Sequence, residues 1–206
     1  MIKTIFLQKD ITTLTSQSHY THLIFDDLDL KNLTLQECTF RDCSFANTNL
    51  TNTKLNGSKF VNCNFSNSNV AGTNFFSCEF IECKCMGIVL NRAHSLIGTT
   101  FTRCNFDYAD LRSIDFSKYD LAYSSFIETD LGLCNLSHAS LINAQLVLTN
   151  IQGCKFEMTD LRGATLQGIS LKKDTLKGVI LTPHQLEMLA NEIGITVMDE
   201  ETKGSY

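Results

Sequence analysis

Proline is nearly absent from this chain: one residue in 206, at Pro183, and there is no tryptophan at all. A backbone without proline can hydrogen-bond along almost its whole length, because only proline lacks the N–H that a sheet ladder requires. Long apolar runs are missing too, which excludes a transmembrane helix. The start, Met1 to Asp10, has too short an apolar stretch for a signal peptide, so a cytoplasmic, membrane-free protein is expected. Positive charge is scarce: the formal net charge is −5 and the pI about 5.5. That argues against a nucleic-acid binder held by phosphate contacts. No nucleophile–base pair, glycine-rich phosphate loop or metal-ligand cluster can be read, so no enzyme, cofactor or metal site is expected.

What the chain does have is a beat of five. Residues Gln36 to Phe65 read QECTF RDCSF ANTNL TNTKL NGSKF VNCNF. Every fifth residue is Leu or Phe, and the residue two before it is Cys, Thr or Ser. A period of five suits neither an amphipathic helix nor a flat strand, and a fixed internal period is the mark of a repeat architecture. With the large apolar residue taken as the centre, the series runs from Phe25 to Leu90, slips by one residue, and resumes from Leu96 to Leu181. Of the 14 phenylalanines, 12 are centres, and only Phe6 and Phe76 fall off the beat.

Two inward positions per five residues leave three outward. A chain that turns a corner every five residues closes a four-sided coil in twenty, and a longer rhythm supports this: Phe40 and Phe45 recur as Phe60 and Phe65. The fold class expected is all-β, a quadrilateral parallel solenoid of about eight coils from 25 to 181, with coils paired at the ~4.8 Å spacing of strands.

The repeat resembles the pentapeptide-repeat family, whose motif is a small residue, Asp or Asn, Leu or Phe, a polar residue, then often Gly. Thr159-Asp160-Leu161-Arg162-Gly163 matches at every place, and Ala109 to Ser113, Thr48 to Asn52 and Ser68 to Gly72 match closely. The resemblance implies a right-handed quadrilateral β-helix.

All nine cysteines are absorbed by the register. Cys38, Cys43, Cys63, Cys78, Cys83, Cys104, Cys134 and Cys154 lie two before a centre, and Cys85 is a centre. They read as small buried groups, neither disulfides nor metal ligands.

Residues 1–24 do not keep the beat and read as a cap with strand-like segments over the first coil. The slip at 91–95 inserts one residue, which must bulge outward and turn His94 to solvent; it is either a tolerated insertion or a functional feature. The residue before each centre is often Asp or Asn, a type that bonds nearby backbone at tight turns. One acidic stretch is denser: Asp107, Asp110, Asp115, Asp120, Glu128 and Asp130 against Arg112 and Lys118. It is either a partner-binding patch or a solvated surface. Asp107 and Glu128 follow their centres and read as the acids free of turn duty.

After Leu181 the pattern becomes helical. Thr182 is an N-cap, Pro183 the first helical position, and Gln185 completes a capping box. Leu186, Leu189, Ala190 and Ile193 share one face, Ile195-Thr196-Val197 reads as a short strand, and 199–206 as a disordered tail. Residues 182–198 would form a terminal cap and dimerisation element, with Leu181, Leu186, Met188, Leu189, Ile193 and Val197 as interface candidates. The run from Gly178 to Val197 resembles the C-terminal end of Qnr-type quinolone-resistance proteins. That resemblance implies a non-enzymatic homodimer joined at its C-terminal ends, a DNA-like rod that binds DNA gyrase and topoisomerase IV and protects them from quinolones or gyrase-poisoning toxins. The repeat body, 25–181, has a net charge of only 14 − 16 = −2, a weak acidity for a DNA mimic. The alternative is a rigid interaction scaffold unrelated to topoisomerases.

Overall fold

From Phe25 to Leu161 every centre side chain but Leu96 is buried, and most centres pair through the backbone with the coils on either side. The computed structural model describes residues 4–5, 8–169, 177–192 and 196–197. The centres Leu171 and Leu176, together with Phe6, Ile193, Ile195 and the 199–206 tail, lie outside the described residues.

The strands are β1 (Thr4–Ile5), β2 (His19–Thr21), β3 (Leu23–Ile24), β4 (Thr39–Arg41), β5 (Lys59–Val61), β6 (Glu79–Ile81) and β7 (Thr100–Thr102); one helix, α1, spans Pro183–Glu192. Strands β2, β4, β5, β6 and β7 form a parallel sheet in that order, with Tyr20, Phe40, Phe60, Phe80 and Phe101 in register. Elsewhere each side of the coil contributes one bridge residue. Ile24, Ser44, Asn64, Lys84, Asn105, Ser125, Gln145 and Thr165 make one continuous parallel ladder, a residue per coil. We number the four faces by their first full coil: face 1 at Phe25, face 2 at Leu30, face 3 at Leu35, face 4 at Phe40.

The corners explain the period. The residue two after the centre sits in the left-handed region, for example Asn47 (φ 56°) and Asn52 (φ 56°). At most corners the next inward N–H then closes a turn on the centre's carbonyl, as Thr48 does to Phe45 at 3.1 Å. A positive φ at the third residue of a four-residue turn favours Gly or Asn, and these types fill many of the corners, although others such as Tyr108, Leu133 and Met158 are held in the same conformation. Gly72 (φ +68°) shows a second reason: a Cβ there would lie 2.1 Å from Asn52 Oδ1, which leans over it from the preceding coil.

Inside, the phenylalanines stack in columns. Phe40 and Phe60 are 5.3 Å apart with planes 7° from parallel, and Phe45 and Phe65 are 4.8 Å and 11°. Edge-to-face contacts link the columns, as between Phe60 and Phe65 at 5.0 Å. These are the offset and T-shaped geometries that the ring quadrupole favours. The small residue two before the centre has a job that composition hides. Its hydroxyl or thiol reaches a carbonyl one coil back: Thr48 donates to Phe25 at 2.8 Å, Thr53 to Leu30 at 2.7 Å and Cys63 to Phe40 at 3.4 Å. Thr, Ser and Cys are used because each is small and carries a donor.

Four details refine the sequence reading, the second of them with His94 turned to solvent as expected. First, the coil geometry starts before residue 25. Gln17 and His22 already occupy left-handed corners, and Tyr20 takes a centre place. Tyrosine is tolerated there because its hydroxyl exchanges bonds with the Thr15 backbone, at 2.7 and 3.0 Å. Strand β1 pairs parallel with β3, and Ile11 and Leu14 pack on the core beside it. Second, the slip is a bulge of two residues against one. Ser95 pairs with Asn74, but His94 takes the bond to Thr73 at 2.8 Å; a 3-10 turn over Leu90–Arg92 precedes it. Ala93 packs on the core in the inward place, and His94 is exposed.

Third, α1 covers the last coil through a different face. Gln185 is buried; it accepts from the backbone of Gly163 and Thr182 and donates to the carbonyls of Leu161 (2.8 Å) and Ala164 (2.9 Å). Its backbone N–H reaches Thr182 Oγ1 at 3.3 Å, so the capping box is present. With Gln185 facing the coil, half-buried Leu189 lies on the same stripe four residues on, whereas Leu186 points outward and is 62% exposed. Fourth, Thr196 and Val197 are irregular rather than strand. A strand needs a paired backbone, and among the described residues neither makes a backbone hydrogen bond.

Candidate interaction surface

The six acids of the dense stretch divide among all four faces. Asp110 and Asp130 are paired neighbours on the face 2 ladder, followed by Asn150. Asp115 leads to Asn135 on face 3, and Asp120 to Ser140 and then Asp160 on face 4. Asp107 and Glu128 belong to face 1 and its corner. No single face gathers them.

Most of them serve turns. The carboxylates of Asp110, Asp115, Asp120 and Asp130 accept the N–H two residues on, from Arg112 (3.2 Å), Ser117 (2.9 Å), Ala122 (3.1 Å) and Gly132 (2.9 Å). Arg112 also forms a forked pair with Asp110, 2.9 and 2.6 Å, and lies 3.6 Å from Asp130. Arg162 repeats the fork on Asp160. The guanidinium holds the Asp110 and Asp160 carboxyls below the usual carboxylate range. Hydrogen bonds from Ser117 do the same for Asp115. Local neutralisation by Arg112 thus removes much of the field from the face 2 pair.

Asp107 is not a free surface acid. It is buried, accepts the Ile127 N–H at 2.9 Å and the Ser125 hydroxyl, and bonds the Asn105 amide at 3.0 Å. An acid one residue past the centre points along the coil axis rather than away from it, so the next coil covers it. That leaves Asp115, Asp120 and Glu128 as the exposed acids of the six.

At the C-terminal end Leu186, Met188 (54%) and Val197 (49%) are exposed, whereas Leu181 packs partly on the core. Met188 and Leu189 line a cleft of about 550 Å³ between α1 and the Gly163–Gln167 corner. Ile193 lies outside the described residues.

The cysteines are free, eight of the nine are buried, and Cys154 is half-buried. Burial pushes the thiols of Cys78, Cys104 and Cys134 up to about 12 and that of Cys154 to about 11. Such thiols do not ionise near neutrality and are poor nucleophiles and ligands. Among the described residues no group of three His, Cys, Asp or Glu side chains could hold a metal ion, and no helix is long and apolar enough to cross a membrane.

One residue with consequences for the surface was passed over in the sequence: Tyr119. It stands two before the centre Leu121, where Cys38, Ser58, Cys78, Thr99, Ala139 and Thr159 occupy the same column. A bulky residue in a column of small ones was the available signal. Its hydroxyl reaches the Leu96 carbonyl at 3.3 Å, the same bond one coil back that Thr makes elsewhere, but with a ring interposed.

A parallel solenoid with five-residue sides, left-handed corners and stacked Leu/Phe columns defines a class of protein built as a rod around a packed core. The chain belongs to the pentapeptide-repeat family: the model of the pentapeptide repeat region matches residues 14–94 and 99–177, breaking at the bulge. No curated protein matches the sequence. Among solved structures, the chain is similar to a trypsin-treated form of QnrB1, a plasmid-mediated fluoroquinolone resistance protein, at 17% identity and a TM-score of 0.77, covering 96% of this chain and 99% of that one. It is similar to full-length QnrB1 at 16% identity and a TM-score of 0.68, covering 95% and 97%. At such identities the likeness is one of fold.

Proposed function

We propose that this protein is a non-enzymatic binding rod that docks on a type II topoisomerase, DNA gyrase or topoisomerase IV, and protects it from quinolones or gyrase-poisoning toxins. The observation that carries this reading is the end-to-end correspondence with the fluoroquinolone-resistance protein QnrB1, which spans nearly all of both chains. The terminal helix seated on the last coil by Gln185 adds to it. Eight layers at the strand spacing make a rod of about 38 Å. Two such rods joined at their C-terminal ends, through Leu186, Met188 and Val197, would approach the length of a DNA segment held by such an enzyme. A groove that binds phosphates is basic, so Asp115, Asp120 and Glu128 would steer the encounter.

The test is supercoiling by purified gyrase in the presence of a fluoroquinolone, with increasing amounts of the full-length protein. Activity restored in proportion to added protein supports the reading. No protection at any ratio to enzyme rejects it. A second reading, a rigid interaction scaffold unrelated to topoisomerases, is favoured by the scatter of the acids over four faces and by Arg112, which offsets Asp110 and Asp130. Under that reading a gyrase pull-down recovers nothing.

A further inference from the structure

The rod is split at one level. Between the coil holding Leu96 and Phe101 and the coil holding Phe116 and Leu121, the backbone ladder is interrupted on faces 3 and 4. On face 3 the N–H groups of Leu96, Gly98 and Asp115 find no acceptor among the described residues; on face 4 the same holds for Phe101, Arg103 and Asp120. One coil further on, every equivalent bond is made: Phe116 to Asn135 (2.8 Å), Lys118 to Ser137 (3.0 Å) and Asn135 to Ile114 (3.2 Å) on face 3, and Leu121 to Ser140 (2.8 Å), Tyr123 to Ile142 (2.9 Å) and Ser140 to Tyr119 (2.9 Å) on face 4. The five-stranded sheet of face 4 accordingly ends at β7, in the middle of the rod.

Two features hold the split open. The bulge at His94 shifts the upper coil, and Tyr119 acts as a wedge. Elsewhere in its column the side chain is small, and Cys38, Ser58, Cys78, Thr99 and Thr159 each bond the carbonyl one coil back, Thr159 to Leu136 at 2.7 Å. Tyr119 makes that bond with a phenol, its ring edge-on to Phe116 at 5.5 Å. A side chain longer by a ring cannot fit at the normal spacing, so the coils part. At the far end of the split the Arg103 guanidinium lies over the Tyr123 ring at 5.5 Å, a contact between side chains where the backbones do not bond. The opening on face 3 is a cleft of about 620 Å³ lined by Leu90, Leu96, Ile97, Ile114, Asp115 and Tyr119, among others. Ile97, on its upper lip, is 72% exposed.

We propose that this cleft is a strand-docking site, which takes an extended peptide segment of a partner protein by parallel β-addition. The occupant follows from what the two lips lack. The upper lip offers the Leu96 and Gly98 N–H groups. The lower lip offers the Asp115 and Ser117 carbonyls and the Asp115 N–H. Only a backbone in extended conformation carries donors and acceptors at that alternation. The apolar part of the lining receives one Leu-sized side chain pointing inward; Arg112, which also lines the cleft, is held in its pair with Asp110, so the exposed Asp115 carboxylate is left to favour a basic residue just before it. The chain holds a segment of that chemistry on the same face, Thr53-Lys54-Leu55-Asn56-Gly57, which bonds its own neighbours by this pattern. Docking here is independent of whether the partner is a topoisomerase.

The test uses the unmodified full-length protein and a blocked peptide of that sequence, acetyl-Thr-Lys-Leu-Asn-Gly-amide. Amide hydrogen exchange is followed at Leu96, Gly98 and Asp115, with Phe116, Lys118 and Asn135 as paired controls. In the free protein the first three should exchange fast and the controls slowly. Millimolar peptide should slow the three by about tenfold or more and leave the controls unchanged. The same peptide N-methylated at Leu and Gly, which loses the donors to Asp115 and Ser117, should have no effect. Deleting His94 together with Tyr119→Thr, which removes both the bulge and the wedge, should restore protection without peptide and abolish the response. If that variant does not fold, the N-methyl comparison alone decides. Protection of the three amides already equal to the controls, no response to peptide, or an equal response to the N-methylated peptide would each overturn the proposal.

Discussion

The carboxylate of Asp107 accepts the backbone N–H of Ile127, 2.9 Å away on the next coil, and the Ser125 hydroxyl beside it. An acid is thus built into the side of the rod as a rivet between coils. Replacing it by Lys buries an unpaired cation and leaves the Ile127 N–H without an acceptor. Asp107→Lys should cost about 3–5 kcal/mol, the loss typical of a broken buried charge network. Glu128→Lys, at an exposed corner, should stay within about 1 kcal/mol. Urea titration of the two variants checks this, and equal losses would contradict the burial of Asp107. For topoisomerase protection the informative reversal is therefore Glu128→Lys with Asp120→Lys, not Asp107.

The phenylalanine columns give the second expectation. Phe60 is fully buried between Phe40 and Phe80, with rings 5.3 and 4.8 Å away. Coils tied by backbone bonds on both sides cannot collapse into the space, so Phe60→Ala should cost about 3–5 kcal/mol. Phe76 is 47% exposed at the outer surface of face 3, and Phe76→Ala should cost less than about 1 kcal/mol. The same titration tests the pair, and similar losses would mean the inward register is misassigned.

From Phe25 onward such a register was legible in the sequence because one rule, an apolar residue every fifth place, acts on every coil and is displaced only at the 91–95 slip. The turn role of Asp110, Asp115, Asp120 and Asp130 was legible for the same reason. What could not be read were effects between coils. The burial of Asp107 depends on Ser125 and Ile127, about twenty residues away, and the exposure of Leu186 depends on Gln185 finding carbonyls at Leu161 and Ala164. A helical wheel places an apolar stripe, but it has no way to weigh a glutamine that caps a sheet. Tyr119 was visible as an exception, yet its effect follows only from the fixed distance its hydroxyl must span.

Gln185 carries a third prediction. Its amide serves two carbonyls and one amide N–H of the last coil, and it caps α1 as well. Gln185→Ala leaves those groups unpaired in a partly covered site and should cost about 2–4 kcal/mol. Because the helix is then released, the oligomeric state should change together with stability if the C-terminal end is the dimer contact. Light scattering at matched concentrations reads this. A full-length chain that is monomeric at micromolar concentration removes the dimer altogether, and a dimer that persists in Gln185→Ala places the contact elsewhere.

The buried thiols make an alkaline prediction. Burial raises the thiols of Cys78, Cys104 and Cys134 from 9.0 to about 12. The sign follows from proton counting. Between those values the unfolded chain has lost protons that the folded chain keeps, so stability falls as pH rises. It is fully present below pH 9 and is lost progressively toward pH 12, each such thiol contributing about 1.4 kcal/mol per pH unit. Three thiols together should lower the denaturation midpoint sharply between pH 9 and pH 10. Thiol reagents at pH 7.5 should find few of the nine cysteines until denaturant is added. Substituting Cys78 and Cys134 by Ser, a small donor already used at Ser58 and Ser68, should flatten the alkaline slope while keeping the fold. A midpoint in urea that is the same at pH 7.5 and pH 10 in the unmodified protein would show that the thiols are not held protonated by burial, and the inward placement of Cys78, Cys104 and Cys134 would have to be given up.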